Sequence, residues 1–528
     1  MDTIPKLLLN QFAANADKTA IHIKRDGEFV GVTWTELQQD VRRYMASFLR
    51  RGIQPGDCVA MFAENRYEWI LVDFSLQLIG ATHVPIHSTL SGRQANEQAT
   101  LSHSKLLLIS NEVLFEKVLA CEDTFPQDRC ILLKDFAGDE DVTAAIELES
   151  TAAERVTPES VATILYTSGT TGEPKGVMLT QSNLASNAVN TSAALQQFDT
   201  DLRLTFLPLS HIFARTCDLY GWLVCGLELA LAESRETIVP DAQLIQPTIM
   251  NGVPYFFALL RRTLEKMGKA DTPGAIKGLL GGRLRLLCSG GAAMSEDLFH
   301  YFTEQGTPLL QGYGLTESSP VISVSSLENN RSGASGKPIP GVEVKIADDG
   351  EILTKGPHVM LGYFENPSAT DAILKDGWLH TGDWGRLGED GFLYVTGRKK
   401  ELIVTATGKN ISPSFLEALL GEDTFIAQSL VVGDDRRYLI ALIVPDAVSI
   451  QTHLQMEAID LEDEKVNALI AERIAQRLAD CGKHEQIVKF ALLPQPFSME
   501  AGEVTAKLSL RRKVIEANYA DTIEALYS

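Results

Sequence analysis

A large α/β domain of parallel and mixed sheets, followed by a small α+β domain, is the architecture this sequence predicts. Two observations carry it. Strand-like and helix-like segments alternate up to about Arg398, the signature of βαβ units around a parallel sheet. The pattern then changes: the Gly- and Asp-rich stretch DGWLHTGDWGRLGEDGFLYVTGR gives way to a new strand, loop and helix. With 528 residues, of which 45% are hydrophobic, the chain is long enough for more than one core. The expected division is residues 1–398 and 399–528, with a hinge near Lys400.

In chain order, DCVAMFA (Asp57 to Ala63) and ATHVPI (Ala81 to Ile86) read as buried strands. The segment between them, NRYEWILVDFSLQLIG, spaces its apolar residues as a helix does. SKLLLIS (Ser104 to Ser110), VATILYT (Val161 to Thr167) and RLRLLCSGG (Arg283 to Gly291) repeat the pattern of a strand before a turn. A ligand of such a fold sits at the carboxyl ends of strands. Beyond the boundary, SFLEALLGE reads as a helix and SLVVGDD with RYLIALIVP as a paired-strand hairpin. ALIAERIAQRLADC has a helical apolar period.

Composition excludes some functions. Lys+Arg total 47 against Asp+Glu 69, a net charge of -22. General nucleic-acid binding, which needs basic patches against phosphate, is not expected. The seven cysteines form no CxxC pair, so neither a zinc site nor a redox motif is indicated, and a reducing compartment fits them. The N-terminal MDTIPKLLLNQF lacks a signal peptide's apolar core. The longest apolar run, near Leu219 to Ala232, is interrupted by Glu228 and is short of a membrane span. A cytoplasmic protein with at most peripheral membrane contact is expected.

The most informative stretch is YTSGTTGEPKGV, Tyr166 to Val177. Gly169 and Gly172 allow close backbone approach to a ligand. Thr167, Ser168, Thr170 and Thr171 add hydroxyls, and Lys175 a positive charge. The set suits a polyphosphate; the bland alternative is a polar linker. It is not a Walker A loop, because Pro174-Lys175-Gly176 breaks that spacing. Four further clusters stand out. LPLSHIF sets His211 among apolar residues, where a core histidine is the ordinary reading. QGYGLTESSP offers Glu317, either a magnesium ligand beside phosphate or an acid at a helix start. HTGDWG presents Asp383 in a glycine turn, as a ribose acceptor or an Asx-turn. TGRKKE, with Arg398, is a basic cluster or a solvated charge run.

Together and in this order, the strings YTSGTTGEPKGVMLT, FLPLSHIF, QGYGLTE, GPHVMLGYFENP, DGWLHTGD and GRKKELIVTATGKNISP resemble the adenylate-forming superfamily, and within it the long-chain acyl-CoA synthetases. The resemblance runs from about Thr33 to about Lys513. It implies ATP-dependent activation of a medium- to long-chain fatty acid to acyl-AMP, then transfer to coenzyme A, with Mg²⁺ required. An acyl carrier protein as acceptor, or a non-catalytic nucleotide or acyl binder, are the alternatives.

Residue by residue, the resemblance implies that Thr167 to Lys175 cradle the β- and γ-phosphates, including Ser168, Gly169, Thr170, Thr171 and Gly172. Glu317 would ligate Mg²⁺ and Thr316 would contact the α-phosphate. Gly290, Gly291 and Ala292, with Gln311, Gly312, Tyr313 and Gly314, would form the adenine slot. Asp383 and Arg398 would bind ribose, and His211 would sit beside the acyl carboxylate. The small domain would swing about Lys400, bringing Thr407 to Lys409 to the thiol. One departure matters. The family's C-terminal signature carries a lysine where GEVTAKLSLRRK (Gly502 to Lys513) has Ser509. On an extended strand Lys507, two residues earlier, would share that face at a displacement of about 6–7 Å. Lysine's flexible stem makes it the candidate replacement.

Trp222, Tyr255 and Phe256 are candidates for an acyl tunnel, against an ordinary reading as core aromatics.

Overall fold

The computed structural model describes all residues except 1, 122–124, 139–140, 169–173, 235, 400, 407–408, 480, 499–500 and 505–509, together with the side chains of Ser168 and Asn410. Ser168 as a side chain, Gly169, Thr170, Thr171, Gly172, Lys400, Thr407, Gly408, Lys507 and Ser509 therefore lie outside the described residues.

Among the described residues the larger part of the chain builds sheets of nine, seven and five strands. The seven-stranded sheet is parallel through Val161–Ser168, Thr82–His87, Cys58–Ala63, Leu106–Ile109 and Cys130–Leu132. Pro174–Thr180 and then Gly362–Tyr363 add antiparallel strands at one edge. The nine-stranded sheet has a parallel centre, from Leu309–Gly314 through Leu286–Ser289, Ile249–Gly252, Leu202–Thr205 and Glu228–Leu231 to Thr19–Arg25. The apolar runs seen in sequence are these strands, covered on both faces as parallel strands must be. The five-stranded sheet holds Trp378–Leu387 and Leu393–Arg398 as antiparallel neighbours.

Helix Tyr67–Ile79 lies between the sheets and ends on Gly80, whose φ of 83° suits glycine. From Trp69 to Ile79 every residue is buried, as befits a helix that is apolar nearly all round. Its buried acid, Asp73, anchors an ion network with no exposed side chain. Arg215 pairs with Asp73 and donates to Thr163 Oγ1 at 2.7 Å and to Tyr220 Oη at 2.9 Å. Tyr220 Oη donates to Asp73 Oδ2 at 2.8 Å, and His83 Nδ1 lies 2.9 Å from Asp73 Oδ1. Burial pushes the Asp73 carboxyl up, but Arg215, His83 and Tyr220 together outweigh it and hold it at about 2. A buried charge keeps its ionised form only when paired in this way. The network rivets segment 212–225 to strand Val161–Ser168.

Two sequence readings change here. HTGDWG is not a glycine turn: residues 380–385 lie inside strand Trp378–Leu387. Gly382 has φ 72° and the pairing slips between Trp384 and Gly385, so the glycine and aspartate that suggested a turn mark an irregular strand instead. Trp222, a tunnel candidate, is core: it stacks on Trp34 with centroids 4.7 Å apart and its Nε1 donates to Ala20 O at 3.0 Å. Phe256 packs on Phe206, with centroids 4.5 Å apart, and Tyr255 is exposed.

The remainder forms a three-stranded sheet. Ile426–Val432 and Leu439–Pro445 make the expected antiparallel pair and Ile487–Leu492 joins parallel. Helices Pro413–Gly421 and Glu464–Arg477 contribute Leu416, Leu420, Val466 and Ile470 to its core. Arg262 of the larger part donates to the carbonyls of Gly421 and, at 3.0 Å, Asp423, where helix Pro413–Gly421 ends. Cations are favoured at such an end.

Candidate active site

Strands Val161–Ser168 and Pro174–Thr180 pair in register, Thr167 with Lys175 and Ser168 with Pro174. Thr167 Oγ1 reaches Lys175 O at 3.5 Å. Lys175 is thereby held on a strand, and its Nζ lies 5.3 Å from the centroid of the Tyr363 ring. Tyr363 Oη donates to Glu317 Oε1 at 2.8 Å. The predicted phosphate lysine and the predicted metal ligand thus meet across one tyrosine. Sequence reasoning assigned Tyr363 no role. It lies in GPHVMLGYFENP, and an uncharged aromatic in a turn-rich string carries no chemical signal of its own.

The edge strand that presents Tyr363 is held from both sides. Phe364 N donates to Gly176 O at 2.7 Å and Leu361 N to Met178 O at 3.0 Å. Met360 N donates to Glu317 O at 2.9 Å. Asn183, in the first turn of helix Gln181–Ala194, donates to Pro357 O and Val359 O, each at 2.8 Å. Between those carbonyls His358 is 1% exposed, with Nε2 2.9 Å from Thr354 Oγ1. Burial lowers its pKa from 6.5 to about 4. The sign is that of a histidine buried neutral: from pH 6.5 down to 4 the unfolded chain takes up a proton that the folded chain refuses. Stability should fall across that window by about 3 kcal/mol, and the loss should level off below it. Denaturant titrations at stepped pH check this, and His358→Gln should flatten the slope.

Glu317 sits in the turn Thr316–Ser318 that follows strand Leu309–Gly314. Thr316 is buried. Leu315 N and Ser318 Oγ both donate to Pro320 O, at 3.1 and 2.6 Å. A Cβ on Gly314 would fall 1.7 Å from that same oxygen, so glycine is required there. Thr216 Oγ1 donates to Ser319 O at 2.9 Å, joining this turn to segment 212–225.

His211 caps the start of that segment. Its Nδ1 accepts from Phe213 N at 3.2 Å, which leaves the proton of the neutral ring on Nε2. The Phe213 ring lies against Gly290, where a Cβ would be 3.0 Å from Cζ. Gly290 N donates to Gly252 O at 3.1 Å and Gln311 Nε2 to Ala292 O at 3.1 Å. Gly291 has φ 80°. Gly290, Gly291, Ala292, Gln311 and Gly312 thus form one surface at the ends of adjacent strands.

Tyr313 Oη donates to Asp383 Oδ2 at 2.8 Å, and Arg398 Nε lies 3.3 Å from Asp383 Oδ1. Asp383 is 3% exposed. Burial pushes its carboxyl above the usual range, while Arg398 and Tyr313 pull the other way. Arg398 is held more firmly charged, chiefly by Asp383. The two sequence clusters, QGYG and HTGD…GR, therefore meet at one carboxylate.

The family model of the AMP-binding enzyme matches residues 8–364, and that of the AMP-binding enzyme C-terminal domain matches residues 400–528. The chain is 32% identical to the long-chain-fatty-acid–CoA ligase FadD15 of Mycobacterium tuberculosis, over 95% of this chain and 93% of the relative. It is 28% identical to the peroxisomal long chain acyl-CoA synthetase 7 of Arabidopsis thaliana, over 95% of this chain and 82% of the relative. Among solved structures it resembles the O-succinylbenzoate coenzyme A synthetase of Bacillus subtilis in complex with ATP and magnesium ion, with a TM-score of 0.74, 25% identity and coverage of 96% and 98%. It shares the fold of a fatty acyl CoA synthetase from Mycobacterium tuberculosis, with a TM-score of 0.68, 22% identity and coverage of 98% and 99%. No helix among the described residues is long and apolar enough to cross a membrane.

Proposed function

The chain belongs to the family of AMP-binding enzymes, and on that premise we propose that it activates a medium- to long-chain fatty acid with ATP and passes the acyl group to coenzyme A. The observation that carries the reading is the meeting of Lys175 and Glu317 across Tyr363, beside the pairing of Tyr313 and Arg398 on Asp383. One end offers charge for a triphosphate, the other hydrogen bonding for a nucleoside.

A carboxylate attacking a triphosphate must overcome like-charge repulsion, so oriented cations and donors lower the barrier most. In this reading Lys175 neutralises the outer phosphates, with Thr167, Ser168, Gly169, Thr170, Thr171 and Gly172 around them. Thr316 faces the α-phosphate. Asp383 retains acceptor capacity beyond Tyr313 and Arg398, because a carboxylate has about four lone-pair sites; ribose hydroxyls take it. Gly290, Gly291 and Ala292 with Gln311, Gly312, Tyr313 and Gly314 hold adenine. His211, with its proton on Nε2, donates to the acyl carboxylate and orients it.

Magnesium is tested by the donor set. Among the described residues no group of three or more metal-ligating side chains occurs, and Glu317 keeps one carboxylate oxygen besides the one bonded to Tyr363. That suits a metal which takes one or two carboxylates and completes its shell with phosphate and water. Glu317 would hold it, and when bound it would offset phosphate charge.

The division at residue 398, with the small part moving about Lys400 and Thr407 to Lys409 facing the thiol, belongs to the same proposal. So does Lys507 as the cation from that part.

Incubation with ATP, Mg²⁺, coenzyme A and a fatty-acid panel should release AMP and acyl-CoA. Release of AMP with none of the acids would sink the reading. Acyl-AMP that accumulates despite coenzyme A, and discharges only to a phosphopantetheinyl carrier protein, would reassign the acceptor.

A further inference from the structure

On the segment that follows His211, Asp218 joins a buried polar cluster on one face of the nine-stranded sheet. Arg203 pairs laterally with Ile249, and Asn251 with Cys288, so Arg203 and Asn251 lie on one face of the sheet. Both donate to Asp218 Oδ1, each at 2.6 Å. Asp218 stands seven residues after His211, on the π-helical stretch Arg215–Tyr220. Such stretches are rare and concentrate at functional sites. Asn251 precedes Gly252, whose carbonyl holds Gly290. Relative exposures of Arg203, Asp218 and Asn251 are 0, 1 and 2%.

The cluster is incomplete. Arg203 Nε and Nη2, Asn251 Oδ1, Asp218 Oδ2 and Thr205 Oγ1 are buried without a close hydrogen-bond partner, and Thr205, two residues along the strand on the same face, is placed to serve Asp218. Orphaned buried polar groups cost about 1–3 kcal/mol each. Nε and Nη2 form the forked edge of the guanidinium, the edge that grips oxygen. With Thr205 assigned to Asp218, two donors on Arg203 and one acceptor on Asn251 are left, a set that a single hydroxyl satisfies, since its oxygen accepts twice and its hydrogen donates once. A carboxylate fits worse. Asp218 already balances the charge of Arg203, and a second buried anion would stand unpaired.

Resting on the ligase reading above, we infer that the acid this enzyme activates carries a hydroxyl partway along its chain, received by Arg203 and Asn251. Asp218 stands seven residues along the segment from His211, which sets the hydroxyl away from the carboxyl group. The cluster thereby acts as a specificity determinant: an unsubstituted chain would strip water from Arg203 and return nothing.

The test uses the full-length enzyme with ATP, Mg²⁺ and coenzyme A. The substrates are an unsubstituted fatty acid and positional series of its hydroxy and oxo derivatives of equal length. One hydroxy isomer should exceed the unsubstituted acid at least tenfold in kcat/KM for AMP release, because a site built for a hydroxyl rejects the analogue without it. The matching oxo acid, which cannot donate to Asn251, should fall between. Arg203→Met should bring the ratio of hydroxy to unsubstituted acid to about one, and Asn251→Ala should lower it. A loss of folding or a uniform loss of activity would leave that ratio in the wild-type enzyme untouched, so the wild-type series decides alone. If the unsubstituted acid matches every hydroxy isomer, ordered water completes the cluster and the inference is wrong. Release of AMP with none of the acids would overturn the ligase reading, and this inference with it.

Discussion

Asp383→Ala should lower adenylation by about 10²–10³, the usual cost of removing one charged contact from a preorganised site. The carboxylate contacts both Tyr313 and Arg398, and each would lose that contact at once. The defect should appear as a raised KM for ATP together with a lowered kcat, since ribose is gripped before and during the reaction. Pyrophosphate release at varied ATP measures it. The wild-type enzyme should also show an acid limb in its pH profile. Burial pushes the Asp383 carboxyl above the ordinary range, so protonation, and loss of the acceptor, begins at a higher pH than for an exposed aspartate. Activity should fall with falling pH there, and Asp383→Asn, already neutral, should lack that limb. An unaltered profile in Asp383→Asn would remove Asp383 from the nucleotide site.

Lys507→Ala should slow acyl-AMP formation by a similar factor of about 10²–10³, while transfer from chemically prepared acyl-AMP to coenzyme A keeps its rate. By the resemblance Ser509 stands where the family's signature carries lysine, and an extended stretch would put Lys507, two residues earlier, on the same face. Ser509→Lys in the Lys507→Ala background should restore much of the loss. If Lys507→Ala leaves adenylation unchanged, another cation serves and the substitution idea fails. Measuring the two half-reactions separately makes the result specific, because a structural defect in the small part of the chain would slow both.

What the sequence disclosed, and what it hid, follows from the range of the interactions. Strands such as Cys58–Ala63 and Leu286–Ser289 are continuous apolar runs, and their burial on both faces writes itself into composition. The hairpin at Leu439–Pro445 was legible for the same reason. HTGDWG misled because glycine and aspartate favour turns locally, whereas neighbouring strands pulled the segment into a sheet. Pairings across the chain left no trace. Arg215 and Asp73 lie 142 residues apart, each inside an apolar string, and only the fold brings them together. Tyr363 escaped because its role depends on Lys175 and Glu317 arriving from two other elements. The orphaned edge of Arg203 escaped for a related reason: in sequence it is one arginine in a strand.

The strand pair around the phosphate segment has a consequence for altering this enzyme. Because Ser168 pairs with Pro174, five residues span the gap between them. An insertion or deletion that slides one strand past the other by one position turns every side chain to the opposite face. Lys175 would leave Tyr363, and Tyr363's edge strand, bonded to Gly176 and Met178, would lose its register in turn. Libraries aimed at the segment's nucleotide preference should therefore hold that count.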